Sequence, residues 1–410
     1  MEEQAIKNKE NLLFVGPYPP PYGGVSSHLF DINRGLKSLN YKCHILQFDS
    51  FDQDLDKDGA FIFKRATRLK FRFFFIFAKQ VKKFITCLIL LISYFAKSPR
   101  LYLSSFIRAL HVVDLITKSH AERVVVYTTK IGALIPFVRI LCPKIKIYYC
   151  IFADPYKNPP FYKKHKKWFK RAIENSEKVF SSSCYCSEAY GNFTKNVDPS
   201  VIYIGVDLER FRQRDPAISR KKISVLNRPT VLFLGRMEPE MGADNALEIA
   251  ETVLSRNNNI NFIIAGAKGS LTKLLEESAK KHGDNLIIRV NVSGDLIPYY
   301  YGAATVSIAP TLGLHACMGV SIKEAMASSR PTIASNSGGI PEAIRNDKEG
   351  YIIPLKNGDI DNNEFSNKII DLISDQKRFN ELSINARKRC EEIFSVEASL
   401  EKYINLFAEN

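Results

Sequence analysis

The chain has 410 residues, 45% of them hydrophobic and 25% charged, too long for one ordinary core and too apolar for a disordered chain, so two domains of about 200 residues each are expected. Fifty-eight Lys and Arg against 43 Asp and Glu give a net charge of +15, yet no helix-turn-helix, zinc or RNA-binding signature accompanies the cations, and nucleic acid is not an expected partner. Eight cysteines, at 43, 87, 142, 150, 184, 186, 317 and 390, form no Cys-x-x-Cys pair and have no His at zinc-ligand spacing; they read as free thiols rather than disulfides or metal ligands, and residues 1–11 lack the apolar stretch of a secretion signal, which points to the cytoplasm.

Short apolar runs alternate with helical patterns along the whole chain, which predicts parallel α/β layers. In the first half, strands are expected at 12–15, 42–48, 124–127, 145–150, 178–180 and 201–203, with a helix over 27–39. Between residues 59 and 113 there are 11 Lys and Arg and no Asp or Glu, together with Phe71-Arg-Phe-Phe-Phe-Ile-Phe77 and a 13-residue apolar run over 84–96 bounded by Lys83 and Lys97. A membrane span needs roughly 20 residues. Two readings stay open for this segment: one lying in the plane of an anionic leaflet, or core helices with a solvated basic face. A second cluster, Lys163, Lys164, Lys166, Lys167, Lys170 and Arg171 around Trp168, favours the membrane surface. Residues 210–229 are polar and basic, and read as a linker.

The alternation then restarts. Strands are expected at 230–234, 260–265, 286–290, 306–309 and 331–334, helices at 243–255, 271–282, 296–301 and 320–327, and a helical tail over 363–407 with Ser395 as an N-cap. Ligands of open α/β sheets bind at the C-terminal ends of the strands, so the residues that follow strands carry the functional reading. Gly23 and Gly24 precede the first helix, where backbone can approach a phosphate or equally form a tight turn; His28 reads as a surface or packing residue. Arg236 follows the strand ending at Leu234, a place for bidentate phosphate contact or for a structural ion pair. Gly319 opens a helix whose free N–H groups at Val320 and Ser321 suit a diphosphate. Glu324 lies four residues after Val320, one turn or about 6 Å along the same face, the offset from a nucleotide's diphosphate to its ribose.

Taken together, Gly23-Gly24-Val25, Gly205-Val-Asp-Leu-Glu-Arg-Phe211, Gly235-Arg-Met-Glu-Pro-Glu240, Glu324-Ala-Met-Ala327, Gly338-Gly-Ile-Pro-Glu342 and Gly350-Tyr-Ile-Ile-Pro354 resemble the retaining GT-B glycosyltransferases of family 4, the group 1 type, which includes many bacterial polysaccharide and lipopolysaccharide enzymes. The resemblance implies an α/β GT-B fold in which two Rossmann-like domains present parallel sheets across a cleft. It implies an acceptor domain over 1–208 carrying the membrane-facing segment 59–113, a nucleotide-sugar domain over 209–392, and a final helix over 393–410 that crosses back. Arg236 would contact the donor diphosphate and act in catalysis, the backbone of Gly319, Val320 and Ser321 would hold phosphate, Glu324 would bind ribose, and the Gly23-Gly24 loop would close over the donor. No metal or other cofactor is implied. The partners would be a nucleotide sugar, a lipid-linked saccharide or glycan acceptor, and an anionic membrane surface at the cytoplasmic face. Three positions depart from the family pattern: Met241 stands where the family has Lys, Ala316 where it has Glu, and Phe152 where it has His. Lys268 and Lys323 are the candidates for the missing cation. The departures also fit an alternative, a catalytically lapsed GT-B protein serving as scaffold or binding partner in surface-polysaccharide biosynthesis.

Overall fold

The computed structural model describes residues 11–17, 24–47, 81–95, 98–152, 159–191, 200–312 and 317–408. These form two compact units: Met1–Ser182, Cys186–Ile202 and Ile404–Asn410 make the first, and Ser183–Tyr185 with Tyr203–Tyr403 the second.

Unit one runs β1 (Asn11–Gly16), α1 (Gly24–Ser38), β2 (Lys42–Gln47), α2 (Val81–Phe95), α3 (Pro99–Ser119), β3 (Arg123–Tyr127), α4 (Thr129–Gly132), α5 (Ile135–Leu141), β4 (Lys146–Ile151), α6 (Pro159–Glu174), β5 (Lys178–Ser181), α7 (Cys184–Gly191), whose first two residues belong to unit two, and β6 (Ser200–Val201). The sheet order is β2-β1-β3-β4-β5-β6, and every pairing is parallel. Leu12, Leu13, Phe14 and Val15 are all fully buried, as an interior strand covered on both faces requires.

The basic segment and the Trp168 cluster resolve into one packing pattern. In α6, Tyr162, His165, Trp168, Phe169, Ala172 and Ile173 are buried, at the spacing of one helix face, while the cations at 163, 164, 166, 167, 170 and 171 are exposed. Trp168 is therefore a core residue, against the expectation that it marks a surface. Its ring lies 4.7 Å from Tyr102, 4.9 Å from Tyr94 and 5.2 Å from Phe137, and its indole N–H donates to the Ala133 carbonyl at 2.9 Å. Beside it, Tyr102 Oη and His165 Nδ1 are 2.6 Å apart. Helix α2 docks on this core through Cys87 and Leu91, with Phe84, Leu90 and Tyr94 half-buried. Residues 48–80, with the Phe71–Phe77 run, lie outside the described residues.

Unit two contains α8 (Pro216–Lys222), β7 (Thr230–Leu234), α9 (Ala243–Arg256), β8 (Asn261–Gly266), α10 (Thr272–His282), β9 (Leu286–Val290), α11 (Ile297–Ala303), β10 (Val306–Ala309), α12 (Val320–Ala327), β11 (Thr332–Ser335), α13 (Ile340–Ala343), β12 (Gly350–Ile353), α14 (Asn362–Ser374), α15 (Gln376–Ile393) and α16 (Val396–Ala408), with the last residues of α16 in unit one. The sheet order is β12-β11-β10-β7-β8-β9, again wholly parallel. Successive residues of a strand face opposite sides: Val231, Phe233, Phe262 and Ile264 fill one core, and Leu232, Ile263 and Ala265 the other. The strand at 350–353, matched in the sequence only as a motif, is the sheet's edge.

Residues 210–229 are a folded part of unit two rather than a linker. Asp215 caps α8 by accepting the Ile218 N–H at 2.8 Å, Pro216 occupies the first turn, and Ser219 and Ile223 are buried; a helix of seven residues is too short for its periodicity to register in the sequence. Ser395 Oγ accepts the Ala398 N–H at 3.0 Å and so caps α16. In unit one, Phe407 near the end of α16 lies 5.1 Å from the Tyr148 ring, under the Arg123 guanidinium at 5.7 Å.

Replacing Trp168 with Ala empties the centre of the unit-one core and orphans the Ala133 carbonyl. A loss of about 3–5 kcal/mol is expected, read as a fall in the urea midpoint followed by circular dichroism.

Candidate functional site

Strands β7 and β10 begin the two halves of the unit-two sheet. Numbered within that unit, its order is 6-5-4-1-2-3, so the chain reverses its direction of sheet growth between β7 and β10. Such a switch point leaves a crevice beyond the carboxyl ends of the strands. The register places Phe233 beside Ile308, so the loops that follow β7 and β10 emerge side by side.

Those loops are fastened together. Thr311 Oγ1 donates to the Met241 carbonyl at 3.3 Å. A Cβ on Gly242, whose φ is +78°, would lie 2.0 Å from the Pro310 carbonyl oxygen, so only glycine permits the approach. On its other side the post-β7 loop is bonded to the end of β8 and the loop after it: Gly235 N–H to Ala265 O, Met237 N–H to Ala267 O and Leu271 N–H to Met237 O, each at 3.0 Å. Ser270 also donates to Glu238, which holds that carboxyl below its usual range, with Arg236 a smaller contributor.

Arg236 projects from this platform with its side chain 58% exposed. Its guanidinium lies 3.8 Å from Glu240 and 3.9 Å from the Met241 thioether. Exposed pairs of this kind contribute little to stability, so the group can turn to a ligand at small cost. Met241, the position where the family has Lys, is thus in direct contact with Arg236.

After β10, Gly319 adopts φ +76° and stands as N-cap of α12 with no side-chain cap, so the first N–H groups of the helix, at Val320 and Ser321, have no partner within the helix. Glu324 follows one turn on, half-buried, and its Oε2 accepts the Tyr301 hydroxyl at 3.0 Å. Burial, and then the Glu324 charge and hydrogen bond, raise the Tyr301 hydroxyl well above its ordinary value. Tyr301 therefore stays protonated and donates, which fixes how Glu324 presents its carboxylate. Nothing in the sequence singles out Tyr301 from Tyr299 and Tyr300; only the turn of α11 selects it.

Arg236 thus follows β7, and Gly319, Val320, Ser321 and Glu324 open the helix that comes after β10, the strand paired with β7 in the unit-two sheet. Gly24 is the first residue of α1 in unit one, and Gly23 lies outside the described residues, as does Ala316. His28 is buried, edge-on to Tyr127 at 6.3 Å, and Phe152 is buried. Of the two lysines considered for the missing cation, Lys268 is exposed on the post-β8 loop, its own N–H donating to Asn291 Oδ1 at 3.0 Å. Lys323 is not available: it is 1% exposed, its Nζ donates to the Ile204 carbonyl at 2.6 Å, and the Phe394 ring lies 5.7 Å away. Burial lowers its pKa to about 8, against the opposing pull of Cys390, Cys317, Glu324 and Glu342.

Residues 215–389 match the family model described as "Glycosyl transferases group 1". Over 184 residues the chain is 30% identical to the GDP-mannose-dependent alpha-(1-6)-phosphatidylinositol monomannoside mannosyltransferase of Mycobacterium tuberculosis, covering 42% of this chain and 46% of that protein. The chain thus spans about half the length of the curated relatives it matches. Solved structures cover far more of it. Sucrose-phosphate synthase from Thermosynechococcus elongatus aligns with a TM-score of 0.72 at 16% identity, over 98% of this chain and 100% of that one. Anabaena HepE in complex with UDP aligns at 0.70 and 16%, with the same coverage. The two parallel six-stranded sheets are those of a GT-B fold.

Folding lowers the Lys323 pKa, so between about 8 and 10.5 the unfolded chain binds more protons and stability rises with pH. Relative to Lys323→Met, which has no such group, the natural protein should gain about 3 kcal/mol as the pH climbs through that window, measured by urea unfolding at a series of pH values. A constant difference between the two proteins would show that Lys323 keeps an ordinary pKa.

Proposed function

Because residues 215–389 match the glycosyl transferases group 1 model, we propose that the chain moves a sugar, with retention, from a nucleotide-diphosphate donor held at the unit-two sheet edge to a lipid-linked saccharide or glycan acceptor at the cytoplasmic face of a membrane. The observation that supports the donor part is that an exposed arginine follows β7, while an uncapped helix start with an oriented carboxylate follows β10, the strand paired with β7 at the switch point. Arg236 would grip the diphosphate, and the Val320 and Ser321 N–H groups would meet its oxygens at the positive end of α12. Glu324, held by Tyr301, would accept the ribose hydroxyls one turn away. In retaining transfer of this kind the bond from the sugar's anomeric carbon to the diphosphate breaks as the acceptor oxygen attacks the same face, and the departing phosphate oxygen takes the acceptor's proton. The protein's task is then to stabilise charge on the leaving diphosphate, which falls to Arg236, the α12 start and Lys268. A lipid-linked acceptor is favoured by the kinship with a mannosyltransferase acting on a phosphatidylinositol monomannoside. The lapsed-scaffold reading is favoured by Met241, which removes a cation from the loop that should need it most.

Calorimetry with UDP- and GDP-sugars tests the donor site. Arg236→Ala and Glu324→Ala should each weaken binding by about 1.5–3 kcal/mol, the range for a hydrogen bond to a charged group; unchanged affinity in both would remove the proposed site. Donor binding without turnover in the presence of membrane extract would favour the scaffold.

Met241→Lys restores a second cation next to Arg236. Donor turnover, kcat/KM, should rise roughly tenfold or more; a fall would show that the methionine contact, and not charge, is what Arg236 requires.

A further inference from the structure

Helix α2 is apolar on two faces. One docks on the unit-one core through Cys87 and Leu91. The other carries Val81, Ile85, Leu88, Ile89 and Ile92, which are 43%, 49%, 43%, 63% and 66% exposed. Their spacing of four, three, one and three residues makes one continuous stripe, and Leu103 of α3 is exposed as well. The two exposed hydroxyls of α2 are turned back on the helix, Thr86 Oγ1 to the Lys82 carbonyl at 3.0 Å and Ser93 Oγ to the Leu90 carbonyl at 2.8 Å, so they add no outward hydrogen-bonding demand to its surface.

Helix α6 packs beside it. Tyr94 of α2 lies 4.9 Å from Trp168 and beneath the Arg171 guanidinium at 5.5 Å. The exposed face of α6 carries Lys163, Lys164, Lys166, Lys167, Lys170 and Arg171, with Glu174 the only acid of the helix. An aliphatic stripe and a cationic face thus adjoin within one unit. No helix among the described residues is long and apolar enough to cross a membrane, and α2, at 15 residues, reaches only about 22 Å.

We infer that α2 and α6 together form the surface by which unit one lies on an anionic lipid bilayer, the α2 stripe entering the headgroup–acyl boundary and the α6 cations resting on anionic headgroups. Aliphatic side chains flanked by flexible lysines fit this partner; lysine is depleted at protein–protein interfaces, where aromatic residues and arginine concentrate, and a nucleic acid would leave the stripe in water. The lysine stems cover apolar surface while their ammonium groups reach outward. The inference rests on, and refines, the membrane part of the proposed function: it makes the contact a specific pair of helices, and it needs no spanning segment.

Sedimentation of the full chain with vesicles of phosphatidylcholine alone, or of phosphatidylcholine mixed with phosphatidylglycerol, tests this. Binding should require the anionic lipid. Ile89→Asp/Ile92→Asp should lower the partition by roughly tenfold or more, with unfolding midpoint and nucleotide-sugar binding unchanged because both side chains face outward. Lys163→Gln, Lys167→Gln and Lys170→Gln should each cost roughly fivefold and act together. The proposal is overturned if the natural protein stays in the supernatant with anionic vesicles, or if the aspartate pair binds them as well as the natural protein does. A concentration-dependent dimer that the aspartate pair dissolves would likewise overturn it, assigning the stripe to a second copy. Vesicle binding without nucleotide-sugar binding would leave this surface standing and remove the proposed reaction; the reverse result would remove the surface alone.

Discussion

The candidate site depends on the register between β7 and β10. Both strands are interior and almost wholly buried, so a slip of one residue would turn a core face outward, and burial fixes the pairing more firmly than any single contact could. The loops inherit that precision. Once Phe233 stands beside Ile308, the Gly242 backbone meets Pro310 and Thr311 reaches the Met241 carbonyl. The loop that carries Arg236 is fastened in this way to the loop that leaves β10. Two hydrophobic strands thus set where the loop that carries Arg236 emerges and what it is fastened to.

Within unit two the cations divide into two kinds, and the division is physical. Arg330 is buried and donates to the carbonyls of Tyr301, Gly302 and Arg214 at 3.0–3.1 Å; burial lowers its pKa to about 10. Arg389 donates to the carbonyls of Glu342 and Ala343, and Arg387 to that of Ala327. Each ties down carbonyls at or near the end of a helix, where backbone acceptors are otherwise unpaired. Lys323 holds the Ile204 carbonyl, in the stretch after β6. Moving them would leave those carbonyls without these partners. Arg236 has only a long contact with Glu240 and a weak one with a thioether, so it can exchange both for phosphate oxygens. What sets it apart from the structural cations is how little the fold demands of it.

The strand pattern was legible because parallel strands buried on both faces are unbroken apolar runs, and all five strands expected in the second half form there, at 230–234, 261–266, 286–290, 306–309 and 332–335. Arg236 is singled out by its place after a strand end, and Glu324 by its offset of one helical turn from Val320. What the sequence could not show was direction. In α6 a tryptophan among six cations looks like a surface anchor until the helix phase turns it inward against Tyr102 and Phe137. Lys323 and Glu324 are neighbours in sequence, yet about 100° of helical rotation sends one into the core and leaves the other half-buried beside Tyr301. The folded helix at 216–222 was hidden for a different reason: seven residues with one buried serine give no apolar period to detect.

The substitution at 241 changes the electrostatics of the loop before any ligand arrives. A lysine there would set a second positive charge close to the Arg236 guanidinium, and two unit charges about 4 Å apart repel by about 1–4 kcal/mol at effective dielectric constants between those of water and a protein surface. Such a pair is favourable only with a polyanion between or over it. Methionine removes the repulsion and fills the same space with a soft, polarisable group that touches the guanidinium at 3.9 Å. A diphosphate seated here would then meet one mobile cation, the fixed N–H groups of α12 and, across the post-β8 loop, Lys268. Fixed dipoles need no reorganisation when charge develops, so the burden of stabilising a leaving group shifts from side-chain charge toward the backbone geometry that the β7–β10 register maintains.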